Sequence, residues 1–134
     1  MPNITSQTLT ELVKNIQEKK ISSEEVTKAF IDRSEKSKDL NVYITEDFSC
    51  AIKKAKNFDQ KPNFDLKLPG IPIAVKDLFC TSGVKTTAGS KILSNFIPPY
   101  ESTVTQNIWK EGGILLGKLN CDEFAMGSSN ETSF

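Results

Sequence analysis

The residue best placed to do chemistry is Lys76, in the stretch Leu68 to Phe79, LPGIPIAVKDLF. Pro69-Gly70 marks a turn, and Ile71 to Val75 is apolar apart from Pro72. A short apolar run bounded by turn residues predicts a strand buried on both faces, with Pro72 near its start, where a strand tolerates proline best. In open α/β sheets the working groups gather just beyond the carboxyl ends of the strands, and Lys76 sits at that end of this one. Burial disfavours an ammonium ion, so a lysine held there can be neutral near physiological pH and act as a base. A plainer reading uses the same residues: a snorkelling side chain with its head in water, paired with Asp77. Strongly perturbed lysines are uncommon, and these residues alone leave both readings open.

Composition narrows the chemistry. The chain has 134 residues, enough for one domain. Lys+Arg and Asp+Glu are both 17, so there is no electrostatic footprint for nucleic acid or an anionic membrane. Histidine is absent, which removes His-based triads and His-containing zinc sites. Cys50, Cys80 and Cys121 are scattered and odd in number, which fits free thiols in a reducing cytosol. Each is read as small core filler rather than a nucleophile, since no histidine is present to activate it. The opening MPNITSQTLT lacks the basic and apolar regions of a signal peptide, and no apolar stretch reaches the ~18 residues of a membrane span. A cytoplasmic location without membrane contact is expected.

The elements that must position Lys76 follow from local patterns. Thr8-x-x-Glu11 and Ser22-x-x-Glu25 are capping boxes that open two helices. The first carries Leu9, Leu12, Val13 and Ile16 on one face and ends near Lys19-Lys20. The second carries Val26, Ala29 and Phe30, fades near Ser37-Lys38-Asp39, and has Ile21 and Val26 placed for a hydrophobic staple. Leu40 to Ile44 is a short β-prone run. A third helix is predicted from about Asp47 to Phe58, with Phe48, Ala51, Ile52 and Ala55 facing inward. Gln60 to Lys67 is a polar linker. After the Lys76 strand, Thr81 to Ser90 (TSGVKTTAGS) reads as a loop, either contacting substrate or simply connecting elements at the surface. Ser102 caps a fourth helix with Val104, Ile108 and Trp109, stopped by Gly112-Gly113. Ile114-Leu115-Leu116 is a second buried strand, and strand, helix and strand in that order suggest a right-handed parallel crossover.

Gly112 to Lys118, GGILLGK, matches the opening of a phosphate-binding P-loop only superficially. Leu119 stands where a serine or threonine should hold magnesium, and the loop would have to contain the strand itself. No ATP site is expected in this chain.

The closing stretch, Gly117 to Ser133 (GKLNCDEFAMGSSNETS), together with LPGIPIAVKDLF and TSGVKTTAGS, resembles the amidase signature family. DEFAMG followed by SSNETS resembles more narrowly the A subunits of tRNA-dependent amidotransferases acting on glutamyl-tRNA(Gln) and aspartyl-tRNA(Asn). The resemblance implies an α/β fold, with helices packed on a mixed, largely parallel sheet. Residues 1–60 would be helical packaging, and 68–134 a strand-loop-helix-strand portion of a single amidase domain, incomplete here. It also implies a serine nucleophile, a second serine in a cis peptide, and a lysine that Lys76 matches. Neutral Lys76 would take a proton from the bridging serine, which takes one from the nucleophile. Glutamine would be attacked at its side-chain amide, releasing ammonia to the B subunit. The B and C subunits would complete a heterotrimer, with ATP and magnesium used on the partner and misacylated tRNA held mainly by the B subunit. This chain itself would need no cofactor and no metal. Met126 and Gly127 would line the substrate pocket through backbone groups, while a plain core role for Met126 stays open.

Both family serines belong to a motif of the GGSSGGS kind that this chain does not contain, and Gly127-Ser128-Ser129 is no substitute. The expectation is an amino-terminal piece, inactive toward glutamine by itself and marginal in stability through exposed strand edges. The rival readings are another amidase-signature hydrolase of a small amide, and a non-catalytic interaction module whose lysine is a surface charge.

Overall fold

The computed structural model describes residues 3–133; Met1 and Pro2 of the opening segment, and Phe134, lie outside the described residues. Both capping boxes form. α1 (Leu9–Gln17) begins at Thr8, whose hydroxyl accepts from the Glu11 N–H while the Glu11 carboxylate accepts from the Thr8 N–H at 2.7 Å. α2 (Ser23–Glu35) begins in the same way at Ser22, with the reciprocal bond to Glu25 at 2.8 Å. Each box satisfies two amides that a helix start otherwise leaves free. Asp59, near the end of α3 (Phe48–Gln60), accepts from the Ser23 and Glu24 amides, both at 2.9 Å. Its charge sits at the positive end of α2, so it locks the two helices together as well as capping one.

The sheet has three strands in the order β1-β3-β2. β1 (Tyr43–Glu46) runs antiparallel to β3 (Ile114–Leu119), and β2 (Pro72–Lys76) runs parallel to it. Lys76 is aligned with Leu119, and Pro72 with Ile114. α4 (Thr103–Lys110) lies between β2 and β3 in the chain, as the parallel crossover requires. The pairing with β2 shifts register between Ile73 and Ala74, aligned with Leu115 and Gly117, and the pairing with β1 shifts between Tyr43 and Thr45, aligned with Leu119 and Lys118. A Cβ at Gly117 would lie 2.5 Å from the Thr45 carbonyl oxygen and 2.8 Å from the Tyr43 ring, so the irregular pairing with β1 depends on glycine there.

Two apolar clusters hold the layers together. Ile31, Ala51 and Ala55 meet Ile114 and Leu116 of the sheet, with Phe48 and Ile52 packed alongside. Leu12, Ile16 and Val26 meet Ile71, with Ile21, Phe58 and Ile73 around them. Ile21 lies against the same cluster as Val26, as a staple requires. Each fully buried isoleucine, leucine or valine contributes about 1.5–3 kcal/mol over its exposed state.

Several expectations need correction. β3, not β2, is the strand buried along almost its whole length; β2 is half-buried because it stands at the edge of the described sheet. β1 starts later than Leu40, because Leu40 closes a single 3-10 turn and Asn41 takes φ +47°. β1 then pairs with β3, so residues 1–60 supply a strand as well as helices. The buried stripe of α2 is Ser23, Val26, Thr27 and Ile31, while Ala29 and Phe30 are half-buried rather than enclosed. Ser23 is tolerated inside because its hydroxyl donates to the Gly70 carbonyl. On α4, Thr105 is the buried residue and Val104 is half-exposed.

Candidate active site

β2 delivers three consecutive side chains to alternating sides of the sheet: Val75 buried, Lys76 exposed, Asp77 buried. That alternation separates Lys76 from Asp77, so the expected pairing between them does not form. Among the described residues Lys76 makes no ion pair, and its side chain lacks the enclosure that a strand buried on both faces would have given it. Its backbone is nevertheless firmly held. The Asp77 amide donates to the Leu119 carbonyl at 2.9 Å, continuing the ladder to β3, and the Ala88 amide donates to the Asp77 carbonyl at 2.8 Å.

The buried cation of this chain is Lys118, on β3. It is fully enclosed, and its Nζ donates to the Phe79 carbonyl at 2.5 Å, Thr86 Oγ1 at 2.9 Å and Thr81 Oγ1 at 3.0 Å. Three ammonium donors thus have three acceptors. Asp77 Oδ1, itself without a hydrogen bond among the described residues, lies 4.0 Å from the same nitrogen. Burial pulls Lys118 below the ordinary lysine range, and the Asp77 carboxylate is the main influence in the other direction. Asp77 Oδ2 accepts from the Thr87 hydroxyl and, at 2.9 Å, from the Thr87 amide.

The loop from Thr81 to Ser90 is therefore no surface connection. Thr81 and residues 86–90 are buried, folded around the Lys118 ammonium and the Asp77 carboxylate. Ser90 donates to Glu123 at 2.5 Å, and the Phe124 amide donates to the Ala88 carbonyl, which ties the loop to the chain's closing stretch. Cys121 is fully buried beside this cluster, and burial pushes its thiol up from the ordinary value. Cys50 and Cys80 are half-buried, so only Cys121 meets the core-filler expectation in full. Cys80 instead lies 3.6 Å from the Tyr100 hydroxyl.

GGILLGK ends inside β3, which removes any P-loop geometry. The stretch after β3 is organised by Asp122, whose carboxylate accepts from the Asn130 amide at 2.9 Å, the Thr132 hydroxyl at 3.0 Å and the Thr132 amide at 3.2 Å. Those bonds hold its carboxyl below the usual range, the Asn130 amide contributing most. Met126 is 85 % exposed, which excludes a place in this chain's core. Gly127 lies directly against the Asp122 carboxylate. No group of three or more His, Cys, Asp and Glu side chains is gathered for a metal among the described residues. No described helix is long and apolar enough to cross a membrane.

Sequence reasoning missed Lys118 and its threonine collar. The available signal was a lysine inside the apolar strand ILLGKL, a position that demands a buried partner.

Helices on a small mixed sheet, with a lysine at a strand end above a buried polar loop, define an amidase-type framework. The family model described as Amidase matches residues 25–134, and this chain belongs to that family. It is 86% identical, over all 134 of its residues, to the A subunit of the glutamyl-tRNA(Gln) amidotransferase of Pelagibacter ubique (strain HTCC1062). The chain spans 28% of that relative's length. Among solved structures, fatty acid amide hydrolase superposes with a TM-score of 0.84 at 26% identity, over 94% of this chain and 24% of that one. The A subunit of the glutamyl-tRNA(Gln) amidotransferase of Thermotoga maritima superposes with a TM-score of 0.71 at 29% identity, over 99% of this chain and 27% of its own.

Proposed function

We propose that this chain is the lysine-bearing part of the glutamine-hydrolysing subunit of a tRNA-dependent amidotransferase, the assembly that converts Glu-tRNA(Gln) to Gln-tRNA(Gln). The observation that carries the reading is the 86% identity, over the whole chain, to the A subunit of a glutamyl-tRNA(Gln) amidotransferase. In the complete protein, serines from the remaining sequence stand over the end of β2 and Lys76 is their base. Neutral Lys76 accepts a proton through a bridging serine, and the nucleophilic serine attacks the side-chain carbonyl carbon of glutamine. The C–N bond breaks, ammonia leaves, and water then releases glutamate from the acyl-enzyme. Ammonia passes to the B subunit, which activates the tRNA-borne carboxylate with ATP and magnesium; the C subunit completes the cytoplasmic assembly. Met126 and Gly127 border the substrate through their backbone. The chain by itself, without the serines, is inactive.

The second reading, a hydrolase of another small amide, draws on the TM-score of 0.84 to fatty acid amide hydrolase against 0.71 to the Thermotoga protein. Ammonia release by the complete protein separates the two. The first reading predicts hydrolysis of glutamine well above that of short acyl amides, coupled to Gln-tRNA formation when partner subunits are present. Faster turnover of acyl amides, with no gain from partners, would replace it with the second.

A further inference from the structure

Ala88 is bonded on both sides of its backbone: its amide donates to the Asp77 carbonyl at 2.8 Å, and its carbonyl accepts from the Phe124 amide at 2.7 Å. One residue therefore bridges the end of β2, next to Lys76, and the segment that leads into Met126 and Gly127. Ala88 takes φ +51°, and Phe124 and Ala125 take φ +51° and +57°, left-handed values that residues with a Cβ seldom adopt. Such backbones persist only where the surroundings over-determine them, and they gather where geometry serves a function.

The two sides of the bridge are held differently. The loop side is enclosed: Ser90 and Thr87 are fully buried, the Thr87 amide donates to Asp77 Oδ2 at 2.9 Å, and a Cβ at Gly89 would lie 2.5 Å from the Cys121 carbonyl oxygen. On the other side Glu123, Phe124 and Met126 are exposed, so hydrogen bonds rather than packing fix their turn. The Ala125 and Met126 amides close it on the Asp122 and Glu123 carbonyls at 2.7 and 3.0 Å, and the Glu123 amide donates to the Thr132 hydroxyl at 3.2 Å. Ser90 Oγ donates to Glu123 Oε1 at 2.5 Å, which is the side-chain bond joining turn to loop among the described residues.

We propose that Ser90 and Glu123 are positioning residues for glutamine: their hydrogen bond, beside the Ala88 bridge, sets where the Met126–Gly127 backbone stands relative to the strand end that carries Lys76. The inference rests on the reading that Met126 and Gly127 border the substrate. Without the bond the exposed turn relaxes from its left-handed backbone, and the bordering groups leave the place where glutamine meets them.

The test is steady-state glutamine hydrolysis by the complete protein. Glu123→Ala raises KM for glutamine by about tenfold and leaves kcat within about twofold, because ground-state and transition-state binding weaken together. Ser90→Ala does the same, and the double variant Ser90→Ala/Glu123→Ala is no worse than either single one, as a shared bond requires. Glu123→Gln keeps the accepting oxygen without the charge, so its KM stays within about twofold of wild type. A fall in kcat at constant KM makes the bond a structural prop and overturns the proposal. So does a Glu123→Gln variant as impaired as Glu123→Ala, which assigns the effect to the carboxylate charge. Glu123 is exposed, so its two variants decide alone if Ser90→Ala does not fold. Hydrogen exchange at the Met126 and Gly127 amides, with and without saturating glutamate (the product, which is not consumed), separates the two levels. Exchange unchanged by glutamate removes the substrate-bordering reading and this inference together; slowed exchange beside an unmoved KM removes this inference only.

Discussion

A Cβ at Gly127 would stand 2.4 Å from the Asp122 carboxylate, the group that gathers the Asn130 and Thr132 amides. Gly127 is thus required by the packing of the chain's closing stretch, whatever the substrate does there. Asp122 cannot swing aside without giving up those bonds. Gly127→Ala is predicted to raise hydrogen exchange at the Asn130 and Thr132 amides while leaving β3 amides unchanged. Equal protection in both proteins would contradict the packing account.

The same carboxylate makes this segment acid-sensitive. Asp122 is held below its ordinary value of 3.8 chiefly by the Asn130 amide, so the folded segment binds its proton less readily than the unfolded one. Its contribution is fully present above the unfolded value and is lost as pH falls through the lower folded one. NMR shifts of the Asn130 and Thr132 amides should therefore titrate below pH 3.8, and Asp122→Asn should abolish that titration.

Gly117 carries a prediction about the sheet. Its Cβ-free backbone lets Thr45 approach, so Gly117→Ala must push β1 away from β3. The expected loss is about 1–3 kcal/mol by denaturant unfolding of the full-length protein, the usual cost of overpacking a close contact. A change within experimental error would mean that β1 shifts freely.

Thr27 predicts the opposite sign. It is completely buried on α2, and its hydroxyl has no partner among the described residues. Replacing it with the near-isosteric valine removes an unsatisfied polar atom at little cost in volume. Thr27→Val should stabilise the full-length protein by about 1 kcal/mol. Destabilisation would reveal a bond that the hydroxyl makes.

Local chemistry was the legible part of the sequence. Thr8 and Ser22 open helices because each box is closed within a single turn, and Ala51 and Ala55 face inward because helical spacing dictates it. The strand before Lys76 and the parallel pairing with β3 were also readable. The Lys118 site was not, since its partners at Thr81 and Thr86 lie 37 and 32 residues away and only the parallel crossover brings them together. The degree of burial of β2 depends on what lies beside its open edge, which a pattern of apolar residues does not specify. Met126 shows a similar limit: an apolar residue type does not distinguish core from exposed loop.

The central claim is that Lys76 is the base of a glutamine-hydrolysing site. Its most direct test is Lys76→Ala in the full-length protein, in complex with its partners, with amidation of glutamyl-tRNA driven in turn by glutamine and by added ammonia. Glutamine-driven amidation is predicted to fall by at least about 10³-fold, while ammonia-driven amidation stays within about twofold of wild type. Glutamine-driven amidation surviving at the wild-type rate would contradict it and leave Lys76 as a surface charge at the end of a strand.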